Sequence, residues 1–322
     1  MFIGKKGFSL IEMIFAIVIL AFVLIGGFQI VGKLYKRNFI VKQTSKMEFI
    51  SQEALDQIAL ILYYRVPLSV IGYDGKGDFK YIGEIDERDK YKILEWIGYL
   101  NDAMIERNLS GFIDLYASKS PILKALDFNS KFVNEIVKNK FKKGDLKTSC
   151  GIIFAGSFDE GEEAVLIDYN NSFGWHNKLA NHVYNIEKYV QQGNDCNITI
   201  SRASDGAKKG FKVYEKFYLV DSAYAIAKAV DINKSASCIK DLNKSGEIDD
   251  NTLLLFYDYR PWRGETFCAD DYGNPNGKVS VLAFDVDAFR VRKINNHLEI
   301  KIELFKRKGD INISVAKQKV AF

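Results

Sequence analysis

The chain has 322 residues, 48% of them hydrophobic, and a formal net charge of +4. So small an excess over this length does not imply a general nucleic-acid-binding field. His176, His182 and His297 show no metal-ligand spacing with acids, and neither a Gly-x-Ser-x-Gly elbow nor a phosphate loop occurs, so no catalytic cluster is legible and an enzyme is not expected.

Residues 4–27 read GKKGFSLIEMIFAIVILAFVLIGG, and from 13 to 31 the only strongly polar side chain is Gln29. That length suits a membrane-spanning helix. A secretory signal peptide would have a shorter apolar core followed by a small-residue cleavage site, and none follows this run. A buried core helix rarely runs so long with so little polarity. Glu12 sits just inside the span, where an ionised carboxylate costs on the order of 3 kcal/mol unless it finds a partner.

Lys5, Lys6 and Gly7, followed by Phe8, Ser9, Leu10, Ile11 and Glu12 and then the apolar run, resemble the N-terminal signal of the type IV pilin and type II secretion pseudopilin superfamily. The resemblance implies that a prepilin peptidase cuts after Gly7, that the new N-terminal Phe8 is methylated, and that the anchor is retained. It also implies that the Glu12 carboxylate of one subunit meets the Phe8 amine of its neighbour, each charge lowering the burial cost of the other. Glu12 also lies within reach of its own amine, four residues away. Loss of the leader would lower the net charge to +2. Gly26 and Gly27 weaken the helix by about 1 kcal/mol each relative to alanine. Implied partners are other pilins or pseudopilins, the peptidase and an inner-membrane assembly platform.

The flank after the span carries Lys33, Lys36, Arg37 and Lys42, which by charge alone favours the opposite orientation to the one a prepilin leader requires. Two marks of export support the leader. Acid-x-Asn-x-Ser/Thr occurs six times, at Asn108, Asn170, Asn197, Asn233, Asn243 and Asn312. This resembles the acidic-extended acceptor of bacterial N-glycosylation, implying a periplasmic oligosaccharyltransferase; Asp and Asn also simply mark turns. The second mark is four cysteines, Cys150, Cys196, Cys238 and Cys268, all distal to the span. An even number without a C-x-x-C favours two disulfides, with three pairings open; chain proximity favours Cys150 with Cys196 and Cys238 with Cys268.

No proline occurs before Pro67, and apolar spacing through Met47, Ile50, Leu55, Ile58 and Ile61 predicts one helix from 8 to 64, half in lipid and half laid on a sheet. Lys42, Lys46, Glu48 and Asp56 mark its outer face. Residues 85–108 and 121–140 are helix-compatible. Strands are expected in GIIFAGSF, EEAVLIDY and FKVYEKFYLVD, while 223–230 is ambiguous. Alternation around Phe289 and Val291, a turn at Asn295 and Asn296, and alternation from Leu298 to Leu304 predict a half-buried hairpin.

The expected fold is α+β and pilin-like, divided as leader 1–7, transmembrane and spine helix 8–66, helical elaboration 67–150 and periplasmic β-rich head 151–322. Asp241, Asn243, Ser245, Glu247, Asp249 and Asp250 resemble the start of a calcium loop, but Thr252 replaces the closing Glu, so an ordinary acidic turn competes. The stretch from Phe256 through Tyr259 and Trp262 to Arg263 is either core or a surface for a glycan, protein or single-stranded DNA. The length suits a minor filament subunit that serves type II secretion, a type IV pilus or DNA uptake. The alternative is an anchored periplasmic adhesin or glycan- or DNA-binding protein outside any filament.

Overall fold

In the computed structural model, residues 9–86, 90–141, 144–159, 161, 164–244, 246–295 and 297–321 are described. Helix α1 (Leu10–Tyr63) runs 54 residues without a break, through Gly26 and Gly27, neither of which has a neighbour where a Cβ would lie. Its distal half is amphipathic. Met47, Ser51, Ala54, Leu55, Ile58 and Leu62 are buried at the three- and four-residue spacing of a single face, while Lys42, Lys46, Glu48 and Asp56 are exposed.

Beyond α1 come β1 (Ile71–Tyr73), β2 (Phe79–Tyr81), β3 (Ile93–Tyr99), α2 (Asn101–Ile105), β4 (Ile113–Lys119), β5 (Ile122–Ala125), α3 (Ser130–Phe141) and α4 (Leu146–Ser149). Then follow β6 (Gly151–Phe154), β7 (Tyr184–Gln192), β8 (Asp195–Arg202), β9 (Phe217–Lys228), α5 (Ser237–Leu242), β10 (Leu253–Tyr259), β11 (Thr266–Phe267), β12 (Pro275–Asn276) and β13 (Lys278–Ala283). The chain ends in β14 (Val286–Ile294), β15 (His297–Lys308) and β16 (Ile311–Ala321).

An 11-stranded sheet runs β2-β1-β3-β9-β6-β7-β8-β5-β4, with β10 and then β13 added at β9. Its far end curls back on itself. Ile113 N–H donates to Glu215 O at 2.7 Å and Phe217 N–H to Gly111 O at 2.8 Å, so the start of β4 closes against the run into β9. That curl encloses a core of Leu123, Phe128, Val133, Val137, Ile152, Phe154, Ile198 and Leu219. The three-stranded meander β14-β15-β16 lies under α1, and its Leu298, Ile300, Ile302 and Leu304 meet the buried helix face in a second core shared with Leu94 and Trp96. A third core contains Tyr73, Trp175, Phe256, Tyr259, Trp262 and Phe267.

A long helix over antiparallel sheet is the α+β architecture expected, and the terminal hairpin forms, with Phe289 opposite Ile302 and Val291 opposite Ile300; Asn296 of its expected turn lies outside the described residues. Several expectations are corrected. Residues 67–150 carry the three short helices α2, α3 and α4 and also supply β1 to β5 to the large sheet, and the helix-compatible run at 85–108 contains the strand β3, followed by the short α2. Six of the seven β3 residues are buried, so the strand shows no alternation, and a short apolar run of this kind has the same signature as a buried helix. Residues 121–140 divide into β5 and α3. In EEAVLIDY the described residues 165–168 form turns, and FKVYEKFYLVD becomes strand only from Phe217; the ambiguous 223–230 continues β9 to Lys228.

Candidate functional site

The N-terminal end of α1 is capped by its own sequence. Ser9 is extended (φ −75°, ψ 150°), and its Oγ accepts the Glu12 N–H at 3.3 Å. The Glu12 Oε2 in turn accepts the Ser9 N–H at 2.9 Å. This reciprocal capping box satisfies two amide donors that the helix cannot bond internally, and it places a carboxylate at the positive end of the helix dipole. Glu12 therefore has a partner inside its own chain. Ser9, given no role above, was legible all along as the Ser-x-x-Glu spacing. Gly7 and Phe8 lie outside the described residues.

Past the cap, α1 presents an 18-residue window of mean hydropathy 2.8, none of it buried by the rest of the chain. Leu10, Phe15, Phe22 and Phe28 stand 60–80% exposed. Side chains this apolar and this bare need lipid or other helices around them.

The head is braced by a buried charged cluster that no sequence spacing announces. His176 Nε2 lies 2.8 Å from Glu95 Oε1, and its Nδ1 lies 3.3 Å from Asp270 Oδ2, the latter an ion contact without good hydrogen-bond direction. Tyr259 OH donates to Glu95 Oε2 at 2.7 Å, and Tyr73 OH to Asp270 Oδ1 at 2.9 Å. The Tyr73 ring stacks on the imidazole at 3.6 Å. Burial would lower the His176 pKa, but the two carboxylates outweigh it and raise it to about 9. Burial likewise opposes ionisation of Asp270, yet the His176 contact and the Tyr272 N–H hold it below the ordinary carboxylate range. Desolvation, reinforced by Glu95, pushes the Tyr259 hydroxyl well above its usual value. With the imidazole and both carboxylates sealed from solvent, the cluster ties β1, β3, β10 and the turn at Trp175–Asn177 to the residues after β11.

Cys238 and Cys268 form a disulfide two residues before Asp270. The other expected pair is corrected: Cys150 and Cys196 are free and buried. Cys150 immediately precedes Gly151, which faces Asn185 on β7, whereas Cys196 on β8 faces Gln191 of the same strand. About five residues of strand, roughly 17 Å, separate them, beyond any disulfide's reach. Of the two readings of the aromatic stretch, core is the one observed: Phe256, Tyr259 and Trp262 are buried.

The six acceptor asparagines occupy different environments. Asn170 and Asn312 are exposed. Asn197 lies within β8 between β5 and β7, opposite Lys124 and Val190. Asn108 donates to Glu106 O and accepts from Asn129, Asn233 donates to Asp271, and Asn243 Oδ1 accepts the Ile248 N–H at 2.8 Å. In the suspected calcium loop, Ser245 lies outside the described residues. Asp249 accepts from Thr252 Oγ1 and Asn251 N–H, Asp250 pairs with Lys234, and both Asp241 and Glu247 are exposed. Among the described residues no three His, Cys, Asp or Glu side chains converge on a metal-sized site.

The prokaryotic N-terminal methylation motif matches residues 4–28. The chain thus carries a prepilin-type signal of the kind found in type IV pilins and pseudopilins, continuous with a single apolar helix that fits a single-pass membrane anchor. Pilin-type subunits are processed by prepilin peptidase and assemble with other pilins, which the motif implies here. No curated protein and no solved structure matches the chain.

Proposed function

We propose that the chain is a minor pilin or minor pseudopilin, a non-enzymatic subunit that primes or caps an inner-membrane filament with its head in the periplasm. The observation that carries this reading is the methylation motif running directly into a helix whose apolar window is left unburied by the other described residues and whose second half is fixed to a bulky head. A bare apolar half fits lateral packing in a bundle, and a large head fits a filament end, where neighbours crowd one side only.

In this reading, cleavage between Gly7 and Phe8 creates a methylated amine. Subunit insertion then exchanges the Ser9 cap of Glu12 for the amine of an adjoining subunit, so the carboxylate is partnered both before and after assembly. The filament serves type II secretion, a type IV pilus or DNA uptake. Asn170 and Asn312 are the acceptors best placed for glycan attachment after folding, since both are exposed.

Intact mass of the chain recovered from its native cells tests the reading. Loss of seven residues with gain of one methyl group is expected. A functional chain still beginning at Met1 overturns it and leaves an anchored adhesin. Glu12→Val is expected to abolish filament incorporation while leaving the melting of the head unchanged, because Glu12 is remote from every core cluster.

A further inference from the structure

The segment 202–216 leaves β8 and returns to β9 across the mouth of the curled sheet, and it concentrates charge. It carries five basic side chains, Arg202, Lys208, Lys209, Lys212 and Lys216, against two acidic ones, Asp205 and Glu215. Its apolar residues turn inward. Phe211, Val213 and Tyr214 pack on the enclosed core, with Phe211 4.6 Å from the Tyr184 ring. Lys208, Lys209, Lys212 and Lys216 are all exposed.

Strand β4 runs beside the second half of this segment, because the residues that flank the strand touch it at two points. Ser120 Oγ donates to Lys208 O at 3.2 Å at one end, and Phe112 bridges to Lys216 at the other. Between them stand Lys119, exposed, and Tyr116, fully exposed. Arg202 is committed to Asp205, whereas Lys119, Lys208, Lys209 and Lys212 have no acidic partner among the described residues. An excess of lysines comparable to the net charge of the whole chain is thus gathered beside one bare aromatic ring.

We propose that this face binds single-stranded DNA. Lys119, Lys208, Lys209 and Lys212 meet consecutive phosphates, and Tyr116 stacks on a base. Charge complementarity selects a polyanion, and a free ring selects one whose bases are unpaired. A face built from a loop and a strand edge offers no helix for a major groove, so little sequence preference is expected. The proposal stands independently of filament membership.

The test uses the full chain in nonionic detergent micelles and a fluorescein-labelled oligothymidylate of about 20 nucleotides, followed by anisotropy. Four phosphate contacts predict a log–log salt slope of about −3, hence about 50-fold weaker binding at 200 than at 50 mM salt. The triple variant Lys208→Glu, Lys209→Glu, Lys212→Glu is expected to lose at least about tenfold in affinity and to flatten that slope. Tyr116→Ala is expected to lose about fivefold or more with the slope unchanged. Because all four positions are exposed, unchanged thermal melts are expected to show that the variants fold. Three results each overturn the proposal: no saturable binding, binding that survives the triple variant, or a Tyr116→Ala chain that binds as well as wild type. Duplex DNA or phosphatidylglycerol vesicles bound as tightly as the oligothymidylate would do the same.

Discussion

His176 sits at a left-handed φ of 45°, following Gly174 at φ 85°, where an added Cβ would lie 2.5 Å from Pro261 O. The backbone is thus bent to deliver one imidazole between two carboxylates. An imidazolium can donate from both nitrogens, whereas a neutral ring has one donor. The folded pKa of about 9 exceeds the unfolded value of about 6.5, so this contribution is complete below pH about 6.5 and is lost as pH rises through about 9. Asp270 has the opposite sign: its depressed pKa adds stability above the unfolded carboxylate range, and that stability is lost as pH falls. Urea unfolding of the wild-type chain should therefore weaken by about 3 kcal/mol in order of magnitude between pH 6 and 10. His176→Gln should cost about 3–5 kcal/mol at pH 6 by leaving two buried carboxylates unbalanced. It should also remove the alkaline slope, and a His176→Gln chain that keeps the slope would place its origin in another group.

At the scale of elements, α1 separates inside from outside within two residues. Ile58 is fully buried against the meander, while Leu60 is 63% exposed. Ile58→Ala should cost about 2–5 kcal/mol, and Leu60→Ala should change the unfolding free energy of the isolated chain by less than about 0.5 kcal/mol. Equal losses in urea melts would contradict the seating of the helix. This partition was legible in the sequence because 3.6-residue spacing survives wherever one face is wet, and the terminal hairpin was legible because β15 alternates regularly from Leu298 to Leu304. Where both faces are covered, the signal vanishes. Strand β3 was misread for that reason, and nothing in the local sequence marks Glu95 within it, whose partner His176 lies 81 residues away. The cysteines show the same limit: chain proximity suggested two pairs, but strand register separated Cys150 from Cys196. At the membrane end the order of basic residues, Gly, Phe and Glu is local, so it was readable without a fold.

The whole molecule joins two solvents through one helix. Its apolar window is buried by none of the other described residues, and its second half is part of the head's core, with Phe39 already under Lys308 at 4.6 Å. Further along, Lys319 and Lys317 on β16 reach Asp56 and Gln52 on the helix. The membrane segment and the fold should therefore be separable, but only at a particular point in the helix. A chain of residues 36–322 retains every helical side chain that meets the second core and should be soluble, with a melting transition within a few degrees of the full chain in detergent. A chain of residues 65–322 loses Met47, Leu55, Ile58 and Leu62, exposing the apolar undersides of β15 and β16 together with Leu94 and Trp96. Four large side chains at about 1.5–3 kcal/mol each amount to a loss comparable to the entire stability of an ordinary domain. The shorter chain should aggregate or show no cooperative transition by circular dichroism. If it melted as the longer one does, the distal half of α1 would be a passenger on the head and not part of its core.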